Sequence, residues 1–265
     1  IPHDDRLDTT LAQFQPPGGH EGHMHHEVSI PTPVARLEEA PLDVGQDCAG
    51  TGACDIVLLY ADRIEIVNWK TLATRVKKFP PELANATRSR APSGKLLRDD
   101  TGYILLTNSL SGALHYDSQW NAVVSGAAAP ALPKADPGLN SYSLGDGHFS
   151  DFETLSEGGM VVVETNHRLG VARGGALVTA TEMAGGTVAV HWPQIYTSAP
   201  VLPDQPDSVQ KYTYQDGNLA LQFSRPVVGS VLDLSVTDLN RDGTPELLVT
   251  VRKPEGVFIE VWEVF

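Results

Sequence analysis

The segment DLNRDGTPELLVTVRKPEGVFIEVWEVF, Asp238 to Phe265, decides the fold. It begins as a polar turn, Asp238 to Glu246. It continues as two runs dominated by apolar and β-branched residues, PELLVTVRK and GVFIEVWEV, joined by Lys253-Pro254-Glu255-Gly256. Short runs of this kind bounded by turn residues read as strands, so the segment is a β-hairpin reached through an acidic loop.

The same form recurs upstream. DIVLLYADRIEIV (Asp55–Val67) breaks at Ala61-Asp62-Arg63, GYILLTNSLSGALHY (Gly102–Tyr116) near Ser109, and GGMVVVETNHRLGVAR (Gly158–Arg173) at Thr165-Asn166-His167. KYTYQDGNLALQFS (Lys211–Ser224) turns at Asp216-Gly217, and GGTVAVHW (Gly185–Trp192) adds a shorter run. Polar stretches rich in Asp and Gly precede the hairpins: LDVGQDCAGTGACD, LLRDDTG, FSDFETLSEGG and VTDLNRDGTPE. Units begin roughly every 45–55 residues, with a worn copy around Thr187, and that period signals propeller blades of three or four strands. One such sheet cannot bury both faces alone, whereas sheets packed radially around an axis can. The expected fold is all-β: a β-propeller of about five blades over residues 29–265. Only PPELANATRS (Pro80–Ser89) hints at a helical turn.

The chain closes on a strong strand, which leaves the last blade short of an outer one. HEVSIPTPV (His26–Val34) is expected to supply it and close the ring, covering an edge that would otherwise pair with other chains. An incomplete ring from a longer protein is the alternative. Residues 1–28, including QPPGGHEGHMHHE, show no hydrophobic period and are expected to form a flexible His-rich arm.

Composition narrows the function. The 265 residues carry a formal charge of −14, which disfavours nucleic acid and anionic lipid as partners. No apolar run reaches the ~18–20 residues of a membrane-spanning helix. IPHDDRLDTT lacks the layout of a signal peptide, so either the numbering begins after processing or the chain was never exported. Cys48 and Cys54 flank a short glycine-containing loop. A disulfide there implies an oxidising compartment: periplasm, cell surface or extracellular space. Two reduced thiols in a cytosolic loop are the alternative.

The loop at Asp238 carries the chemistry. Calcium takes about six to eight hard oxygen ligands at roughly 2.3–2.6 Å. Asp238, Asn240, Asp242 and Glu246 would supply side-chain oxygens and Thr244 its backbone carbonyl. An EF-hand would need flanking helices and a glutamate at the loop's twelfth position, where Val249 stands within a strand. An ion-free Asx-type turn, its carboxylates capping backbone N–H groups, is the alternative.

On these residues SVLDLSVTDLNRDGTPELLVTV (Ser230–Val251) resembles the FG-GAP/VCBS repeat family, the calcium-loop propeller blades of integrin heads and many secreted bacterial proteins. The resemblance implies a calcium site at Asp238–Glu246. It implies a second at Asp43, Asp47 and Asp55, in a unit whose insertion holds both cysteines. FSDFETLSEGGMVVV keeps Asp151 and Glu153 but has Leu155 where a third ligand would stand, and KLLRDDTGYILL has no such loop. In that family the ions brace blade turns and rarely take part in catalysis.

A second metal candidate lies in the arm, where His20, His23, Met24, His25 and His26 cluster. Imidazoles with a thioether suit copper, and imidazoles alone suit zinc or nickel; incidental metal binding by a solvated stretch is the alternative. No GxSxG, HExxH or phosphate-cradling glycine loop occurs. The expected function is that of an exported, non-enzymatic binding or assembly module, with a protein surface, a glycan surface or neighbouring subunits as partner. An enzyme acting on a polysaccharide or a metal-linked redox substrate in the central channel is the alternative. Acids and histidines converging on the channel mouth would favour that enzyme, and small apolar channel walls the binding module.

Overall fold

The computed structural model describes residues 32–48, 52–83, 92–98, 102–110, 113–123, 132–136, 141–156, 158–173, 176–181, 184–200 and 206–263. The His-rich arm, with His20, His23, Met24, His25 and His26, lies outside them.

The described residues form a β-propeller of five sheets. Strand β1 (Thr32–Leu37) comes first. Blade 1 is β2 (Asp43–Asp47), β3 (Asp55–Leu59), β4 (Arg63–Val67) and β5 (Thr74–Lys78). Blade 2 is β6 (Gly94–Arg98), β7 (Gly102–Thr107), β8 (Leu114–Asp117) and β9 (Ala122–Val123). Blade 3 holds six strands: β10 (Lys134–Ala135), β11 (Tyr142–Leu144), β12 (Gly147–Thr154), β13 (Met160–Glu164), β14 (Leu169–Arg173) and β15 (Ala176–Thr181). Blade 4 is β16 (Val188–His191), β17 (Gln194–Ser198), β18 (Ser208–Gln215) and β19 (Asn218–Pro226). Blade 5 contains β20 (Ser230–Thr237), β21 (Glu246–Lys253) and β22 (Gly256–Glu263).

The hydrophobic runs are nearly continuous because both faces of each blade are buried against neighbours. Successive strand residues point to opposite faces. In β3, Val57 and Leu59 join Tyr103, Leu105 and Trp120 between blades 1 and 2. Ile56 and Leu58 of the same strand join Leu248 and Ile259 between blades 5 and 1. In β21, Leu247, Val249 and Val251 turn the other way and pack with Tyr196 and Val209 of blade 4. Met160 and Val162 of β13 face Leu97 and Ile104 of blade 2, and Val161 and Val163 face Val188 and Ile195 of blade 4. Each cluster thus joins two successive blades, and the one between blades 5 and 1 completes the circuit.

The ring closes through β1, which pairs antiparallel with β22 (Ala35 opposite Ile259, Leu37 opposite Val257) and makes the fourth strand of blade 5. The expected closing strand was His26–Val34. The observed one ends three residues later, and everything before Thr32 lies outside the described residues. Each of the expected hairpins forms, and Pro81–Leu83 makes a single 3-10 turn at the expected helical spot.

The polar stretches read as blade-leading loops are partly strands. Asp43 lies in β2 and Asp233 in β20, each the first strand of its blade's meander, and Asp151 in β12, the third of the six strands of blade 3. A break in register precedes Asp151 and another precedes Asp233. Such bulges re-aim a side chain.

Candidate functional site

Strands β2, β6, β12 and β20 bring five ionisable side chains together at the ring axis. The Lys95 ammonium, 1% exposed, lies 2.8 Å from Glu153 Oε1, 3.0 Å from Asp151 Oδ1 and 3.4 Å from Asp43 Oδ1. Asp233, also buried, completes the set through Thr187. Two of these aspartates also stitch adjacent blades together. Asp43 Oδ2 accepts the Leu96 N–H of blade 2 at 2.5 Å, and Asp151 Oδ2 accepts the Val188 N–H of blade 4 at 2.8 Å. Nearby, Asp207 Oδ2 accepts the Val231 N–H across the blade 4–5 seam at 2.8 Å. A carboxylate accepting a backbone N–H in a dry environment is a strong, directional contact.

Burial dominates the electrostatics. It pushes the Asp43 carboxyl up to about 7, against the pull of Lys95 and with the push of Glu153 and Asp151. Burial likewise raises Glu153, and it raises Asp233 well above the usual carboxylate range, reinforced by Asp43. The surrounding carboxylates hold Lys95 well above an ordinary lysine despite its burial. Tyr142 of β11, edge-on to Phe152 with ring centroids 5.1 Å apart, is also held well up, first by burial and then by the charges of Asp151 and Asp43.

The second feature is the Asp238–Glu246 loop between β20 and β21. Its side chains turn inward. Asp238 Oδ1 accepts the Asp242 N–H at 3.1 Å and Oδ2 the Gly243 N–H at 3.0 Å. Asn240 Nδ2 lies 3.0 Å from both Asp242 Oδ2 and Glu246 Oε1, so one amide group gathers the two carboxylates. Asp242 Oδ1 accepts the Thr244 N–H at 2.7 Å, and Glu246 Oε2 the Leu239 N–H at 2.9 Å. Gly243, at φ 87°, and Arg241, at φ 61°, make the left-handed turns that wrap the loop. The Thr244 N–H holds Asp242 below the usual range, whereas burial and the charges of Asp238 and Asp242 raise Glu246. Every carboxylate oxygen of the loop already accepts an N–H of the loop itself, which is the arrangement of an Asx-type turn; the same aspartate, asparagine and glutamate oxygens are hard donors of the kind calcium takes. Asp238, Asn240, Asp242 and Glu246, with the Thr244 carbonyl, are the residues that would hold it.

The disulfide loop of blade 1 lies against this turn. Cys48 and Cys54 are bonded. The Cys54 N–H donates to the Leu239 carbonyl at 2.8 Å, and Arg241 donates to the Cys48 carbonyl. Both loops therefore sit at the seam between blades 5 and 1.

Asp43, Asp47 and Asp55 are not gathered around a shared centre. Asp43 turns to the axis. Asp47 accepts the Tyr103 hydroxyl at 2.9 Å and the Trp120 indole N–H at 2.8 Å. Asp55 accepts the Asn68 amide at 3.0 Å and meets Arg75 at 3.3 Å. Asp47 and Asp55 stand opposite each other across β2 and β3 and share Arg75, at 3.9 and 3.3 Å, while Asp43 points elsewhere. Among the described residues no group of three or more His, Cys, Asp or Glu side chains is arranged around a metal-sized centre.

Lys95 and Asp233 escaped sequence reasoning. A faint signal exists: Leu42-Asp43-Val44, Ser150-Asp151-Phe152 and Leu232-Asp233-Leu234 each place an aspartate inside a short strand, and Gly94-Lys95-Leu96 places a cation at the matching point.

No protein-family model and no curated protein sequence matches the chain. Among solved structures, BBS1N in complex with ARL6DN is similar at 13% identity and TM-score 0.35, over 82% of this chain and 62% of that one. The chain thus spans less than two thirds of that protein's length. The Pan2 WD40 domain of Neurospora crassa is similar at 10% identity and TM-score 0.43, over 85% of this chain and 79% of that one. The RRP9 WD40 repeats are similar at 11% identity and TM-score 0.42, over 84% and 99% of the two chains.

Proposed function

We propose that this protein is a non-enzymatic propeller module that binds or assembles with a protein or glycan surface, or with copies of itself, and that calcium braces its fifth blade. The observation that carries this reading is the filled axis. Lys95, Asp43, Asp151 and Asp233 are buried there and only Glu153, 29% exposed, reaches solvent, which supports a ring that offers its rims, rather than a reaction chamber, to a partner. A channel enzyme would need its acids open at the mouth, and here Asp43, Asp151 and Asp233 are at most 7% exposed.

The spacing of Asp238, Asn240, Asp242 and Glu246 supports the calcium assignment and a kinship with FG-GAP/VCBS blades, in which such ions stiffen turns; binding would exchange the loop's own N–H contacts for the ion. The Cys48–Cys54 bond supports an oxidising location outside the cytosol. Copper or zinc capture by His20, His23, Met24, His25 and His26 belongs to the same reading.

Thermal melts test the calcium site. A ligand present at a hundredfold excess over its dissociation constant stabilises the folded state by about 2.7 kcal/mol. Calcium at 1 mM is expected to raise the midpoint by roughly 5–10 °C over EGTA. Asp238→Ala/Asp242→Ala should abolish that difference. Equal midpoints in calcium and EGTA for the unmodified protein would remove the ion from the account.

A further inference from the structure

We propose that the ring axis is a proton-binding site: Asp233 holds a proton at neutral pH, and its release loosens the seam between blades 4 and 5. Proton counting at Thr187 carries this. The Thr187 hydroxyl lies 3.2 Å from Asp151 Oδ2 and 3.2 Å from Asp233 Oδ1. A hydroxyl has one proton to donate and can accept in return. It can serve both carboxyl groups only by sharing that proton in a weak three-centre contact, whereas a proton on one of the acids makes both contacts full hydrogen bonds.

Asp151 has no need of one. Its Oδ1 accepts Lys95 at 3.0 Å and the Phe152 N–H at 2.8 Å, and its Oδ2 accepts Val188 N–H at 2.8 Å. Asp233 differs. Its Oδ2 is buried with no hydrogen-bond partner. Asp43 and Asp151 each bind a backbone N–H of the next blade. A proton on Asp233 donated to Thr187, with Thr187 donating to Asp151, satisfies every contact in the row.

Charge balance points the same way. The groups facing Asp233 are Asp43 from β2, Lys95 from β6, Asp151 from β12 and the Tyr142 hydroxyl from β11. Glu153 of β12 adds a fourth carboxyl beside Lys95 at 2.8 Å. One ammonium cannot neutralise three buried carboxylates and the partly exposed Glu153 as well, and an uncompensated buried charge takes up a proton instead. The raised affinity of Asp233 for its proton, caused first by burial and then by Asp43, agrees with this; only Lys95 and the Leu234 N–H oppose it.

The sign of the pH effect follows. An unfolded aspartate releases its proton near pH 4. Above that pH the folded state binds more protons than the unfolded chain, so stability falls as pH rises, until Asp233 ionises in the fold as well. The test is a series of melts from pH 5 to 8, in EGTA so that the Asp238 loop does not bind added ions. The wild-type midpoint is expected to fall by roughly 5 °C or more. Asp233→Asn, whose amide can donate to Thr187, should shrink that fall to the part that the raised Asp43 and Glu153 contribute, and melt above wild type at pH 8. A variant that keeps the wild-type slope and melts below it at both ends would overturn the proposal. Carbon-13 NMR of carboxyl-labelled aspartates reads the proton in the wild type directly, whether or not the variant folds. One aspartate resonance at the protonated position at pH 8 is expected, and a spectrum with all aspartates ionised would overturn the assignment.

Discussion

Replacing Lys95 by methionine is expected to cost about 3–5 kcal/mol at pH 7.5, the range for leaving a buried charge without its partner. Methionine keeps the length and much of the volume of the side chain, so packing changes little. What changes is the electrostatics of the axis. Asp151, Glu153 and Asp43 lose an ammonium that stands within 3.4 Å of each. Three blades meet at that cation, since Asp43 belongs to blade 1, Lys95 to blade 2 and Asp151 to blade 3. For a chain of this size the loss corresponds to a drop of roughly 6–20 °C in the thermal midpoint. The deficit should shrink at pH 5, where the orphaned carboxyls neutralise themselves by taking up protons. A melt of the Lys95→Met variant within 2 °C of wild type at both pH values would show that the axis contributes little to holding the blades.

Removal of β1 is expected to have an effect of similar size but a different signature. Truncation through Leu37 strips blade 5 of its outer strand and bares β22 from Val257 to Val261. Val34 and Leu37, half-buried against the cluster between blades 5 and 1, go with it. Partial loss of two aliphatic contacts, each worth about 1.5–3 kcal/mol when fully buried, and of several strand hydrogen bonds at about 1 kcal/mol net each suggests a total of roughly 3–6 kcal/mol. The bared strand alternates apolar residues with an unpaired backbone, a template for another chain. Light scattering during size exclusion should therefore show concentration-dependent association of the truncated protein. A synthetic peptide spanning Thr32–Leu37 should reverse it. A truncated chain that stays monomeric and melts as before would show that β1 is dispensable.

Much of this architecture is legible in the residues. The hairpins announce themselves because strands buried on both faces need apolar side chains at nearly every position, as in Ile56–Leu59 and Leu247–Val251. Their regular spacing yields the blade number, and the bare final strand foretells closure from the N-terminal side. The strands at the axis are harder. Asp43, Lys95 and Asp151 look like loop chemistry in sequence, because the partners that make their burial tolerable come from other blades: Asp43 and Asp151 are 108 positions apart yet share one ammonium. Outer strands fail for the opposite reason. In β5, Thr74–Lys78, almost every side chain is exposed, so no hydrophobic period marks it. β9 and β10 span two residues each, too short for any pattern. The acidic loop is legible because calcium-type spacing is local, whereas its contact with the disulfide loop links residues 193 positions apart and lies beyond local inspection.

Residue-resolved amide hydrogen exchange tests ring closure most directly. In an edge strand only alternate N–H groups are paired, whereas in an inner strand every one is. With β1 in place, consecutive amides across β22, from Val257 to Val261, are expected to exchange slowly, while outermost β5 and β19 show slow and fast amides in alternation. Alternating protection along β22 would mean that its outer side faces water, and that the five blades do not form a closed ring.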